Sequence, residues 1–420
     1  MLRGFQDRQK DSQQTDSPAA TRPGFRLDLK TAFLQGEAYD ETRDIICELP
    51  KEAGLPWYTC ARMKKPAYGL NDAPRRWWNI VDQKLRSYQL EPTRADRCCY
   101  VLYDSNSKPR SESTKLSISS PASFDDAPSY LLDPVTGSNA KGRKVHGVVC
   151  LHVDDLFLAG DKHFHAQVCQ NLRKDFSIGS EDTNDIQFVG QRIKWISEGS
   201  KKKYIRVDQN LAIEELEEIK FDKSLKDEVE VTPSMHTEYR SVLGQINWLQ
   251  SRTQYHVCYK FSRCASAASK PTMGDVRQLN KLVRTLRSQP VTLNFWPLDQ
   301  PCRIIGFPDA SYKNNEDKSS QRAHCIFLAN ERSRSSAYVD TYGSLVDYES
   351  HKITATTMST TVAELYALMK CFGTCQFIRG LWADLIGEAA PIHIRTDANN
   401  LVTTASTTHV PEQKETIHLI

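Results

Sequence analysis

The sequence predicts a mixed α/β chain: an α+β unit first, a helical stretch after it, and a second α/β unit at the end. Three observations lead there. Residues 25 to 103 alternate short apolar runs with helical patterns, and Val145 to Gly160 is apolar except at its acidic centre. Tyr239 to Arg287 carries apolar residues at helical spacing. From Val291 the period changes, and strand-like and helix-like runs alternate again.

Taken in order, Met1 to Pro23 is polar and has no apolar h-region, so residues 1–24 are expected to form a disordered tail. The segment Phe25 to Phe33 places an acid, Asp28, at the end of a short apolar strand. Trp77, Val81, Leu85 and Tyr88 recur at helical spacing and are expected in a core. Residues 104–142, rich in Ser, Pro, Asp and Lys, read as a flexible surface insertion. Residues 204–220 show helical spacing through Leu211, Ile213, Leu216 and Ile219. Thr232-Pro233-Ser234 breaks the pattern and reads as a linker. Beyond it, Val242, Ile246 and Leu249 form one helical stripe, and Val276, Leu279, Leu282 and Val283 another. Residues 302–307 and 323–328 read as strands, Val362 to Phe372 as a helix, and Ile392 to Thr396 as a strand running into a carboxylate. No internal repeat is present.

The bulk numbers exclude little. The 420 residues are 39% hydrophobic and 25% charged, ordinary for a globular protein. No apolar run reaches the roughly 18 residues of a membrane span. A net charge of +3 neither demands nor excludes a nucleic-acid partner, because binding needs a local basic surface. Lys64-Lys65, Arg75-Arg76 and Lys201-Lys202-Lys203 are such clusters, though each would also suit a solvated face. The twelve cysteines show no repeated C-x-x-C zinc spacing and read as free, mostly buried thiols in a reducing compartment.

Chemistry concentrates in two sets of acids. Asp28 stands at the end of the short apolar strand that opens Phe25-Arg26-Leu27-Asp28-Leu29-Lys30-Thr31-Ala32-Phe33. Far downstream, Val148 to Val153 runs into Asp154-Asp155, and Leu156 to Gly160 follows, which suggests a hairpin with the acids at its turn. Adjacent carboxylates in an apolar setting repel each other and lose solvation, and a bound cation relieves both costs. Oxygen donors of this kind suit Mg²⁺, and phosphoryl transfer uses two such ions about 4 Å apart. A plain β-turn, where Asp is common, is the alternative.

Asp28-Leu29-Lys30-Thr31-Ala32-Phe33, Lys64-Lys65-Pro66-Ala67-Tyr68-Gly69-Leu70-Asn71-Asp72-Ala73-Pro74-Arg75-Arg76-Trp77-Trp78 and the Val153-Asp154-Asp155 hairpin occur in an order that resembles the reverse transcriptases of copia-type retrotransposons. Arg94 to Val101, Phe188 to Ile193 and Tyr239 to Leu249 extend the resemblance, which runs from about residue 25 to the end. It implies an α+β palm-type reverse transcriptase core over 25–230, a helical thumb or connection over 231–295, and an α/β ribonuclease H-like domain over 296–420.

By the same resemblance, Asp28 and Asp154 are metal-bridging carboxylates and Asp155 their partner. Phe33 would lie against the sugar of an incoming dNTP, unless it is simply a core aromatic. Gly69 would let backbone approach the nascent base pair, and Arg75 would meet a phosphate. One departure is His152, where the family usually has Tyr before V-D-D.

Near the end, Asp309 follows the strand Arg303 to Phe307, Glu364 begins a helix, and Asp397 ends a strand. This order, with D-A-S-Y, S-T-T-V-A-E-L-Y-A-L and R-T-D-A-N-N around it, resembles the ribonuclease H-like metal site of the same family. Thr361-x-x-Glu364 also reads as a capping box, which would make Glu364 structural, and Asp309 and Asp397 would serve equally as solvated strand ends. The family's fourth acid would lie beyond Ile420, with Glu412 or Glu415 as substitutes only by accident of geometry.

The implied partners are an RNA template, a DNA primer, an RNA–DNA hybrid and dNTPs, with Mg²⁺ or Mn²⁺ as cofactor, in the cytoplasm, a retroelement particle or the nucleus. The family's fingers would be mostly absent and both ends cut short, and no protease or integrase zinc pattern is seen. A catalytically inactive remnant that at most binds nucleic acid is the competing reading. A small-molecule phosphotransferase is disfavoured by the lack of a phosphate-binding glycine signature.

Overall fold

The computed structural model describes residues 24–40, 42–104, 143–198, 202–298, 301–330, 343–387 and 389–406. The tail at 1–23, most of the 104–142 insertion, Lys201, Glu412 and Glu415 lie outside them. The described residues are mixed α/β, as the sequence predicts.

The first unit opens with β1 (Phe25–Leu29), a 3₁₀ turn at Ala32–Gln35, and the small ribbon β2 (Ile46–Glu48) and β3 (Cys60–Arg62). Helix α1 (Ala73–Ser87) follows, with Pro74 in its first turn, where the missing N–H costs nothing. Then come β4 (Leu90–Pro92), β5 (Cys99–Tyr103), β6 (Val145–His152) and β7 (Asp155–Gly160). A helical stretch over 162–175 ends as α2 (Gln170–Asp175) and leads to β8 (Ile178–Thr183). The six strands form one sheet in the order β4-β5-β6-β7-β1-β8. β1 alternates strictly: Phe25, Leu27 and Leu29 are buried, while Arg26 and Asp28 point to the other face. The apolar face packs on α1 through Trp77, Val81 and Leu85, the core residues expected from their spacing.

A second sheet, in the order β12-β11-β10-β9, is made of β9 (Asp185–Phe188), β10 (Gln191–Glu198), β11 (Lys202–Asp208) and, after the helices, β12 (Leu293–Phe295). Here one expectation fails. Residues 204–220 are not a helix: Tyr204 to Asp208 belong to β11, and only α3 (Asn210–Glu214) is helical. Leu216 and Ile219 are buried as the spacing implied, but their chain is held differently. Asn280 donates to the Ile219 carbonyl at 2.8 Å and accepts from its N–H at 2.9 Å, so a side chain supplies what helical bonds would have.

The expected linker at Thr232-Pro233-Ser234 is a helix start. Thr232 accepts from the Met235 N–H at 3.3 Å, and Pro233 opens α4 (Pro233–Gln250). α5 (Cys258–Ser266) and α6 (Met273–Ser288) complete the helical unit, with both predicted stripes buried between them.

The last unit has β13 (Cys302–Ser311), β14 (Gln321–Asn330), β15 (Gly343–Lys352), the long helix α7 (Thr360–Ile386), β16 (Ile392–Ile394) and α8 (Asn399–Ser406). The sheet order is β15-β14-β13-β16, with β16 parallel to β13. α7 packs closely on β13 at Gly306, where any Cβ would fall 2.6 Å from the Cys371 sulfur. Among the described residues no disulfide joins any of the cysteines. Among the described residues, no helix is long and apolar enough to cross a membrane.

Candidate functional site

β6 and β7 form the expected hairpin, with Val153-Asp154 as its two-residue turn. β1 lies against β7 so that Asp28 is the direct partner of Asp155, and the Leu29 N–H donates to the Asp154 carbonyl at 2.8 Å. Acids far apart in the chain thus meet at one end of the sheet. Val153 adopts φ 56°, which is unusual for a β-branched residue. The Trp77 indole N–H donates to its carbonyl at 2.6 Å and pins the turn to α1.

Each carboxylate has its own surroundings. Asp154 accepts from the Tyr68 hydroxyl at 3.3 Å, and the Tyr68 ring lies 4.4 Å from that of Phe33, which is buried. Asp155 accepts from Arg26 Nε at 2.7 Å and Nη2 at 2.6 Å. Burial pushes the Asp155 carboxyl up, as do the charges of Asp154 and Asp28, while Arg26 pulls it down. Asp28 stands 3.6 Å from Arg26, and its carboxylate fills the space above Gly179, where a Cβ would collide with it.

Among the other expected residues, Gly69 has φ +95° and open space where a Cβ would be. Its glycine serves the backbone angle. Arg75 is exposed at the start of α1, whereas its neighbour Arg76 pairs with Asp72 at 2.9 Å. His152 is exposed, opposite Asp155 in register, with its ring 6.5 Å from that of Phe188.

The second set converges more tightly. One ligand oxygen from each of Asp309, Glu364 and Asp397 lies within 4.8 Å of the others, the one such three-residue group among the described residues. Asp309 is within β13, which runs longer than expected, and Asp397 follows β16 after a short turn. Glu364 is in the first turns of α7 and is not part of a capping box. Ser359 takes the cap, accepting from the Val362 N–H at 3.2 Å, because it is the first hydroxyl in the Ser-Thr-Thr run. Burial pushes the Glu364 carboxyl up to about 7, and the charges of Asp309 and Asp397 add to it, against a hydrogen bond from the Ala310 N–H. Its Oε2 is buried without a hydrogen-bond partner. Three convergent hard oxygens, one of them unpartnered, fit a divalent cation such as Mg²⁺ or Mn²⁺.

Sequence reasoning missed Arg26, Tyr68, Gly179 and Asp182 as parts of the first site. The signal for Arg26 was present, since in a strand it shares a face with Asp28, two residues on. Asp182 and Gly179 come from β8, whose pairing with β1 nothing in the local sequence announces.

Comparison with known proteins identifies the class: the chain is related to the Pol polyproteins of retrotransposons. Over 382 residues, 86% of its length, it is 22% identical to the retrovirus-related Pol polyprotein from transposon RE1 of Arabidopsis thaliana. Over 78 residues, 18% of its length, it is 37% identical to the retrovirus-related Pol polyprotein from transposon TNT 1-94 of Nicotiana tabacum. These alignments cover 22% and 6% of the two relatives, so the chain matches less than a quarter of either. No family model matches it. Among solved structures, a foamy viral protease-reverse transcriptase in complex with RNA/DNA hybrid aligns with a TM-score of 0.46 and 11% identity, over 95% of this chain and 42% of that one. The foamy viral protease-reverse transcriptase in complex with dsDNA aligns with a TM-score of 0.45 and 12% identity, over 94% and 63%.

Proposed function

We propose that the chain carries the RNA-directed DNA polymerase of a copia-type retrotransposon Pol polyprotein, with ribonuclease H-like cleavage of RNA in its last unit. The observation that supports the polymerase reading is the direct pairing of Asp28 with Asp155 beside the Asp154 turn.

In this reading Asp28 and Asp154 hold Mg²⁺ or Mn²⁺, with Asp155 beside them. Ions there supply a lowered pKa for the attacking primer hydroxyl and charge neutralisation at the departing pyrophosphate. Tyr68 orients Asp154 through its hydroxyl. Phe33, beneath Tyr68, sits under the sugar of the incoming dNTP, and exposed Arg75 meets a template phosphate. Asp309, Glu364 and Asp397 form the second site, where the RNA strand of an RNA–DNA hybrid is cut. The division is 25–230 for polymerisation, 231–295 for connection and 296–420 for cleavage.

The test is extension of a DNA primer on an RNA template with dNTPs and Mg²⁺, beside cleavage of a labelled hybrid. Asp28→Asn and Asp154→Asn are expected to abolish extension and spare cleavage, and Glu364→Gln to do the reverse. A folded chain that yields neither product would replace this reading with that of an inactive remnant.

A further inference from the structure

The polar face of the first sheet holds a cation of its own. Arg26 and Asp28 lie two residues apart on β1 and share a face, and β7 and β8 flank them. The Arg26 side chain is only 17% exposed. Its Nε and Nη2 both reach one oxygen of Asp155, Oδ1, at 2.7 and 2.6 Å, and its Nη1 reaches Asp182 at 2.9 Å and Ser180 Oγ at 3.3 Å. Asp28, at 3.6 Å, is outside hydrogen-bond reach, and Asp154 turns to Tyr68 instead. The four acids are therefore not equivalent: two are taken by Arg26 and two are not.

We infer that Arg26 is the resident cation of Asp155, holding its Oδ1 and offsetting its charge, so that Asp28 and Asp154 take divalent ions in preference to Asp155. The inference rests on the polymerase reading for what binds at the site, but the division of the acids comes from Arg26 alone. A guanidinium does not deprotonate at any working pH, so this positive charge stays beside Asp155 throughout. Two charge-assisted hydrogen bonds onto one oxygen of a partly buried carboxylate hold the pair together. Asp182, from β8, holds the far side of the guanidinium and keeps it in place.

The sharpest test is a double-mutant cycle read by Mn²⁺ binding, followed through the electron paramagnetic resonance of the free ion. The full chain would carry Asp309→Asn and Glu364→Gln throughout, to silence the second site. In that background Asp28→Asn and Asp154→Asn should each weaken binding by about tenfold or more, while Asp155→Asn should change it by less than about twofold. Arg26→Gln, which frees Asp155, should tighten binding by about tenfold. Adding Asp155→Asn to Arg26→Gln should cancel that gain. Arg26→Lys keeps a charge but loses the paired bonds to Oδ1, and should give a smaller gain that Asp155→Asn again cancels, so one folded variant suffices.

Two outcomes would overturn the inference and leave the site reading intact: Asp155→Asn alone weakening Mn²⁺ binding as much as Asp28→Asn, or the effect of Arg26→Gln persisting without Asp155. If neither Asp28→Asn nor Asp154→Asn altered binding, the site reading would fall together with the inference.

Discussion

Asp384, fully buried near the end of α7, accepts from both the backbone N–H of Arg94 at 2.8 Å and the Arg94 guanidinium at 3.1 Å. The contact joins the last unit to the loop between β4 and β5 of the first. The Tyr103 hydroxyl donates to the Asp384 carbonyl at 2.6 Å, and Leu385, like Val145 and Val148, packs on the buried cluster of Val101 and Tyr103. Removing the carboxylate leaves a backbone donor without its acceptor inside an apolar contact. Asp384→Ala should therefore cost about 2 kcal/mol and expose the loop around Arg94 to protease before the core of either unit unfolds. Thermal unfolding and limited proteolysis would check this. Unchanged digestion there would mean the contact does not couple the units.

A second expectation concerns Gly179. Its missing side chain makes room for the Asp28 carboxylate, so Gly179→Ala should displace Asp28 while leaving the β8 backbone, which lies at the sheet edge, in place. Primer extension should fall by about a hundredfold, since a misplacement near 1 Å costs that much, with a loss of stability of only about 1–2 kcal/mol. Full extension by the variant would show that Asp28 has freedom the structure does not suggest.

These two residues show where sequence reasoning succeeds and stops. Asp28, Asp154 and Asp155 were legible because motif order and strand-turn-strand patterning are local, and antiparallel pairing then did the assembly. Asp309, Glu364 and Asp397 were legible as strand-end and helix acids for the same reason. What the sequence did not show is non-local: Gly179 and Asp182 act through the register of β8 on β1, and Asp384 through contact between units. The failed helix over 204–220 has a related cause. Its apolar spacing is real, but Asn280 satisfies the Ile219 backbone, so burial came without the helix. At Thr232-Pro233-Ser234 a capping residue followed by proline reads as a break in the pattern, yet the pair starts α4.

The turn that carries Asp154 holds Val153 at φ 56°, a conformation that costs a β-branched residue about 1–2 kcal/mol. Val153→Asn, which tolerates that angle, should stabilise the chain by about 1 kcal/mol. Trp77→Phe, which removes the indole bond to the Val153 carbonyl, should destabilise it by about 1–2 kcal/mol and lower extension more than hybrid cleavage. Denaturant unfolding with both activities measured in parallel would decide. A loss of cleavage equal to the loss of extension would argue for general unfolding and against a pinned turn.

The last expectation is a pH dependence set by Glu364. Its carboxyl is raised from an ordinary 4.5 to about 7 in the folded chain, so between those values the folded state holds a proton that the unfolded state has released. Stability should therefore fall as pH rises from about 4.5 to 7 and stay reduced above that, the reverse of an ion-paired acid. Because the group is partly solvated, the effect should be about 1–2 kcal/mol and not the full value of the shift. Without divalent ions, Glu364→Gln should be more stable than the parent at pH 8 and lose that advantage near pH 4.5. Adding Mg²⁺ at pH 8 should raise the parent's melting temperature more than the variant's, since only the parent keeps all three carboxylates for the ion. Melting curves at pH 4.5 and pH 8, with and without Mg²⁺, test both signs together. A parent whose stability rose from pH 4.5 to 8 as steeply as the variant's would show that Glu364 is not held against Asp309 and Asp397 in solution.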